Sequence, residues 1–210
     1  MSKIKFLEPV TKKYKIILKT GLHIGAWDWG LKIGWIDSQV VKNPLSWEPY
    51  IPWSSIKWKM RASLEMIRWD YSDKFWPSDN KDSIIAKSFW MTTKNLKISS
   101  RLIFSDFELT KEFKEKFKNL WSVDFFEDKS ENNVPRFLKW NATPRHIERV
   151  PAWVEFEGKI VLTPVEWENG IKKEELEQIL EEGIKYLNTF WLGWGVSRWN
   201  WQIEIIEIKD

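Results

Sequence analysis

Two hydroxyls and three cations fall within eight residues in Ser54-Ser55-Ile56-Lys57-Trp58-Lys59-Met60-Arg61. Ser54 reads as the N-cap of a helix, because Ile56, Met60, Leu64 and Ile67 follow at i, i+4, i+8 and i+11 as one apolar stripe. The free N–H groups and dipole of a helix start favour phosphate, so Ser54, Ser55, Lys57, Lys59 and Arg61 are candidate anion contacts. Lys57 and Arg61 share a helix face, whereas Lys59 points elsewhere unless the start is irregular. The pattern equally suits an ordinary capped and solvated helix start, and spacing leaves both readings open. His23 and His146 are the only histidines, so each is a candidate for proton transfer as well as for a structural or ligand contact. No cysteine is present, which excludes disulfides, thiolate metal sites and a thiol nucleophile and suits a reducing compartment.

The elements that must position these residues follow from periodicity. Tyr14 to Lys19 reads as a first strand ended by Gly21, and a glycine- and tryptophan-bearing segment then runs to Pro52. The helix at Ser54 follows. Residues 68–97 are polar, with Trp76-Pro77-Ser78-Asp79-Asn80 as a turn cluster, and read as an irregular insertion. A second strand is expected over Ile98 to Phe107. A short helix capped by Thr110 comes next, with Phe113, Phe117 and Leu120 on one side. Residues 121–151 are polar and carry two prolines. Val154 and Phe156 before Glu157-Gly158, and Ile160 and Leu162 after it, read as a hairpin. Ile171 to Asn188 is the clearest helix, with Leu176, Ile179, Leu180, Ile184 and Leu187 on its buried face, and Gln202 to Ile208 closes the chain as a strand.

Set aside the insertions at 21–53, 68–97 and 121–151, and the order is strand, helix, strand, strand, helix, strand. That is the split βαβ, ferredoxin-like arrangement of an α+β protein, expected here as one domain over 1–210. A chain of 210 residues with 43% hydrophobic content buries a substantial core without staples. No long apolar run or signal-peptide segment is visible, so the expected location is the cytoplasm, with no membrane partner. The net charge of +3 is only mildly basic, and charge alone does not name a nucleic-acid partner.

Ordered motifs do. Gly21-Leu22-His23-Ile24-Gly25, Ile33-Gly34-Trp35-Ile36-Asp37-Ser38-Gln39-Val40-Val41 and Pro49-Tyr50-Ile51-Pro52-Trp53-Ser54-Ser55-Ile56-Lys57-Trp58-Lys59-Met60-Arg61 follow one another along the chain. Arg101-Leu102-Ile103-Phe104-Ser105-Asp106, Pro144-Arg145-His146-Ile147-Glu148-Arg149-Val150 and a C-terminal segment ending Gly195-Val196-Ser197-Arg198 complete the set. In order and spacing they resemble the repeat-associated mysterious proteins (RAMPs) of CRISPR effector complexes, and most of all the repeated backbone subunit of the type III-A, Csm-type complex. Each motif is weak alone; six in one order over nearly the whole chain are specific.

The resemblance implies a subunit that stacks head to tail with copies of itself along a CRISPR guide RNA, beside the other subunits of the type III-A complex. Complementary target RNA is cut at regular intervals, one site per subunit. It implies guide or target contacts by His23, Ser54, Ser55, Lys57, Lys59, Arg61, Arg136, Arg145, Arg149, Ser197 and Arg198, with a thumb-like hairpin in residues 121–151. The cutting carboxylate of the family lies in the Ile-Asp-Ser motif, here Asp37. RNA supplies its own nucleophile, the 2′-hydroxyl, so Asp37 acts either as the base or as the holder of Mg²⁺ or another divalent cation. One carboxylate makes a poor cage, so that ion is expected to be weakly held and completed by phosphate and water. Asp28 is a candidate second carboxylate. A non-catalytic RNA scaffold, a histidine-dependent CRISPR RNA processing nuclease and a tryptophan-rich carbohydrate-binding module are the competing readings.

Seventeen tryptophans stand against nine glycines, where a usual share of about 7% predicts roughly 15 glycines. Interleaved with Lys and Arg, such rings suit a base-stacking platform. Against the family pattern, however, Trp27, Trp35, Trp53, Trp58 and several of the tryptophans in 191–201 fall on glycines that let backbone turn beside phosphate. Substituted or misassigned glycines are therefore the expectation at those positions, with Trp121, Trp140 and Trp167 as authentic tryptophans.

Overall fold

A computed structural model describes residues 5–26, 39–70, 77, 78, 80, 82–92, 97–118, 125–133, 143–166, 171–190, 192 and 201–209. In chain order the elements are β1 (Lys5–Phe6), β2 (Val10–Leu18), β3 (Tyr50–Ile51), α1 (Trp53–Ile67), α2 (Ile84–Phe89), β4 (Met91–Thr92), β5 (Lys97–Ile98), β6 (Leu102–Phe104), β7 (Phe107–Leu109), α3 (Lys111–Lys118), β8 (Glu127–Asn133), β9 (Thr143–Arg149), β10 (Glu155–Leu162), β11 (Val165–Glu166), α4 (Lys173–Phe190) and β12 (Ile203–Ile208). The protein is α+β. Its main sheet is antiparallel in the order β12-β2-β10-β7-β3, with β6 also pairing with β10.

Alternation decides which face of that sheet is inside. Tyr14, Ile16 and Leu18 of β2, Phe156, Ile160 and Leu162 of β10, and Ile203 and Ile205 of β12 are buried, as a period of two requires. They form one apolar cluster with Ile56, Met60 and Leu64 of α1 and with Leu176, Ile179, Leu180 and Leu187 of α4. Each such side chain contributes about 1.5–3 kcal/mol on burial. The two helices meet at Gly183, where a Cβ would come within 2.5 Å of Met60.

Three sequence expectations are corrected. Glu157-Gly158 is not a turn: β10 runs straight through it, and its whole length pairs with β2. Glycine stands there because Phe107 lies against the backbone, and a Cβ at 158 would come within 2.6 Å of its ring. The strand expected over 98–107 is interrupted. Lys97–Ile98 pairs back on Met91–Thr92, and Ser105-Asp106 separates β6 from β7 where Ser105 N–H donates to the Lys159 carbonyl and Ser105 Oγ accepts from Lys159 N–H. Residues 68–97 are not wholly irregular, since α2 is capped by Ser83, which accepts from Ala86 N–H, and buries Ile85, Ala86 and Phe89. Thr110 Oγ1 does accept from Phe113 N–H at 3.2 Å, the cap expected for α3. Among the described residues no helix is long and apolar enough to cross a membrane.

Candidate functional site

The start of α1 is built differently from the expected serine cap. Pro52 holds the N-cap position in extended backbone with no side-chain hydrogen bond, and helix begins at Trp53. The open amide is satisfied from another element: Asp106 Oδ1, at the β6–β7 break, accepts from Trp53 N–H at 2.7 Å across 53 residues of sequence. A carboxylate there also complements the helix dipole. Ser54 and Ser55, relieved of capping, sit half-buried on the first turn.

Lys57 Nζ donates to Ser100 Oγ at 2.7 Å and lies 5.7 Å from the Trp53 ring and 5.9 Å from the Phe104 ring. Burial first, and the Arg61 charge second, bring its ammonium down from the ordinary 10.5 to about 8. Burial also lowers Lys59. An ammonium stripped of water and without a carboxylate partner gains most from an arriving anion. A cleft of about 350 Å³ lined by Trp53, Lys57, Trp58, Arg61 and Trp90 opens beside them.

Arg61 is placed otherwise than the sequence reading had it. It is 1% exposed, with Nε donating to Glu65 Oε1 at 2.7 Å, Nη1 to the Trp90 carbonyl at 2.7 Å and Nη2 to the Ser78 carbonyl at 3.0 Å. Glu65 Oε1 also accepts from Ser78 N–H at 3.2 Å. The i, i+4 spacing puts Arg61 and Glu65 together on the inner side of α1, where they tie the helix to residues 78 and 90. Its donors serve the fold.

The first glycine-bearing motif forms one side of a ribbon. Leu22 bridges Val150 with hydrogen bonds of 2.8 and 2.7 Å, and Gly25 bridges Val40. Ala26 N–H donates to the Gln39 carbonyl and Val41 N–H to the Ile24 carbonyl, both at 2.8 Å. Residues 24–26 and 39–41 therefore lie side by side at the two ends of segment 27–38. Asp37, Asp28, Trp27 and Trp35 fall in that segment, outside the described residues.

One residue holds both sides of the ribbon. Glu148, in β9, is 6% exposed; its Oε2 accepts from Val40 N–H and its Oε1 from Lys42 Nζ, each at 2.8 Å. Its carbonyl accepts from His23 Nδ1 at 2.6 Å, which puts the ring proton of a neutral His23 on Nδ1. Lys42 Nζ also lies 4.0 Å from the Phe126 ring. Neither Glu148 nor Asp106 stood out as a site residue in the sequence. The available signal was that each is an acidic residue inside a quoted motif.

Residues 127–133 and 143–149 pair in register as a separate two-stranded antiparallel sheet, Glu127 opposite Arg149. Arg149 forms an ion pair with Glu127, and its side chain passes so close to Gly21 that a Cβ there would lie within 2.6 Å of it. Exposed His146 contacts Asp128 at 2.9 Å and Ser130 Oγ at 3.3 Å through Nδ1. Of Arg145 only the backbone is described; Arg136, Ser197 and Arg198 lie outside the described residues. Among the described residues there is no group of three or more His, Asp or Glu that could hold a metal ion.

No protein-family model matches the chain. Individual proteins do. A Streptococcus thermophilus protein named CRISPR system Cms endoribonuclease Csm3 is 32% identical over 209 residues, covering 99% of this chain and 89% of its own. The protein of that name from Enterococcus italicus is 37% identical over 193 residues, 91% of this chain and 87% of its own. One from Methanocaldococcus jannaschii is 32% identical over 220 residues. Among solved structures, a chain of a type III-B Cmr-beta complex bound to cognate target RNA superposes with a TM-score of 0.65 at 18% identity, over 96% of this chain and 61% of that one. A chain of the Csm3–Csm4 subcomplex of the type III-A interference complex superposes with a TM-score of 0.54 at 22% identity, over 98% and 77%.

Proposed function

Starting from the fact that this chain belongs to the Csm3 family of CRISPR endoribonucleases, a RAMP family of type III effector complexes, we propose that it is a guide-RNA-binding backbone subunit which cuts complementary target RNA at Asp37. The observation that carries this reading is the alignment of 99% of the chain with a named endoribonuclease. The strand order β12-β2-β10-β7 supports reading the core as split βαβ, and we read the β8–β9 pair as the counterpart of the thumb.

The helix start of α1 is the backbone-binding element. Lys57 and Lys59, whose ammonium groups burial brings below their ordinary range, are stabilised in the charged form by an arriving phosphate, with Ser54, Ser55 and the first-turn amides as further donors. His23, Arg136, Arg145, Arg149, Ser197 and Arg198 are the further RNA contacts of this reading. Copies stack head to tail, an open heterologous contact, with other type III-A subunits limiting the length.

Cutting needs little from the protein beyond geometry. The target 2′-oxygen bonds to the adjacent phosphorus as the bond to the 5′-oxygen breaks, the 2′-hydroxyl proton leaves to a base, and the departing 5′-oxygen takes up a proton. Asp37 serves as that base or holds a divalent cation, with phosphate and water as the other ligands. Such an ion supplies positive charge against the crowded phosphate. Assembled complex given complementary RNA and Mg²⁺ is expected to yield regularly spaced fragments. Asp37→Ala should abolish them while target binding persists; undiminished cutting in that variant removes the assignment, and uncut RNA with the natural chain leaves a scaffold.

A further inference from the structure

We infer that Glu148 is the positioning residue of the cutting segment, and that it couples this segment to the β8–β9 pair. The inference rests on Asp37 being the cutting carboxylate. Asp37 is three residues before Val40 in sequence, and Val40 N–H is held by Glu148 Oε2. Lys42, two residues further on, is held by Oε1, while the Glu148 carbonyl receives His23 on the opposite side of the ribbon. Three contacts from one buried residue thus set where segment 27–38 leaves and rejoins the fold.

Glu148 also belongs to β9, opposite Asp128 of β8, and Lys42 rests on Phe126 just before β8. The same residue thus ties the β8–β9 pair to the two ends of the segment that carries Asp37. Outer-layer partners of this kind change rates by about 10–100-fold when lost, because reacting groups tolerate little displacement.

The test compares natural, Asp37→Ala, Glu148→Gln and Lys42→Met chains in reconstituted guide-loaded complexes. Glu148→Gln keeps the side-chain shape and an acceptor for Val40 but loses the ion pair with Lys42. Expected is a single-turnover cutting rate lower by about 10–100-fold, with complex composition and target-RNA affinity unchanged, and faster hydrogen exchange confined to residues 24–42. Lys42→Met should slow cutting in the same direction, and the double variant should be no slower than Glu148→Gln alone. Cutting at the natural rate in Glu148→Gln overturns the inference, as does a loss matched by equal loss of target binding or assembly. A natural complex that leaves RNA uncut overturns the Asp37 reading itself.

The backbone independently identifies residues that the natural chain carries. Among the described residues, four other than glycine have positive φ: Trp47 at 59°, Trp69 at 54°, Trp153 at 69° and Trp201 at 72°. All four are tryptophan, a bulky residue for which this region is an outlier, and Asn or Asp, the usual exceptions, do not appear. Trp69 is the clearest case. Asp70 N–H donates to the Glu65 carbonyl and Trp69 N–H to the Met66 carbonyl, the Schellman pair that ends a helix with glycine at the position Trp69 holds.

Trp47 closes the turn after Asn43, between Lys42 and Pro49, which bridge one another, and a left-handed residue at the end of such a turn is ordinarily glycine. Trp47, Trp69 and Trp153 are 69%, 80% and 66% exposed, and none of the described tryptophans is buried, although tryptophan is highly buried on average. We infer that the natural polypeptide carries glycine at 47, 69, 153 and 201.

Peptide mass spectrometry of the protein from its natural source should find glycine at all four positions; tryptophan there overturns the inference. In recombinant chain, Trp47→Gly, Trp69→Gly and Trp153→Gly should each raise the thermal midpoint by about 2–4 °C, whereas Leu45→Gly in the same turn as Trp47 should not. Midpoints that fall with all three also overturn it.

Discussion

The sheet with α1 and α4 and the ribbon that brackets Asp37 differ in the share of polar contacts that holds them. The first is a layer of fully buried Ile, Leu, Phe and Met side chains contributed by many elements. The second is a pair of short extended segments that lend Leu22 and Val40 to that layer and are otherwise fastened by backbone bridges and by the polar contacts of one buried glutamate. Apolar burial is nondirectional and spread over many contacts, so it tolerates small displacements; hydrogen bonds to a carboxylate fix a direction. A stable body thus carries a ribbon whose two sides are also tied by a few oriented contacts.

The sharpest way to separate the two regions is Asp37→Ala, expected to lower cutting of target RNA by about 10²–10⁴-fold with an unchanged thermal midpoint. Leu180→Ala is the converse. It removes a fully buried side chain of α4, and denaturant titration should show about 2–5 kcal/mol lost while cutting per folded complex is retained. Asp106→Ala lies between them, because Asp106 caps α1 from outside the helix. It should cost about 1 kcal/mol in the same titration and weaken guide-RNA binding, since the first turn bearing Ser54 and Ser55 loosens. Unchanged binding there would detach the helix start from the RNA.

Lys57→Met gives the smallest effect, and its sign depends on pH. The folded chain holds Lys57 near 8 against the ordinary 10.5, so between those values the unfolded chain binds more protons and stability rises with pH. The penalty of the buried ammonium is fully present below about pH 8 and gone above 10.5. Lys57→Met should therefore raise the midpoint by about 2–4 °C at pH 7, with the gain fading between pH 8 and 10.5, and should weaken RNA binding.

Much of the fold was legible in the sequence, since α1 and α4 follow the 3.6-residue apolar stripe and β2 and β12 the alternation of two. Glu157-Gly158 was misread because a glycine beside an acidic residue looks the same in a turn as under a crossing Phe107 ring. The cationic helix start was legible as a cluster, yet its members part company. Lys57 and Lys59 are left short of water, while Arg61 turns inward to Glu65 and two carbonyls.

The sequence by itself determined the elements, the family and the placing of Asp37 within a motif, all of which depend on residues close together in the chain. Only the tertiary structure decided the partners: Asp106 for Trp53 across 53 residues and Glu148 for Val40 across 108. Periodicity reports which side of an element is apolar, because that side must be buried against something. It carries no information on which distant carboxylate will meet an open amide, since that meeting follows from how the completed sheet and helices stack.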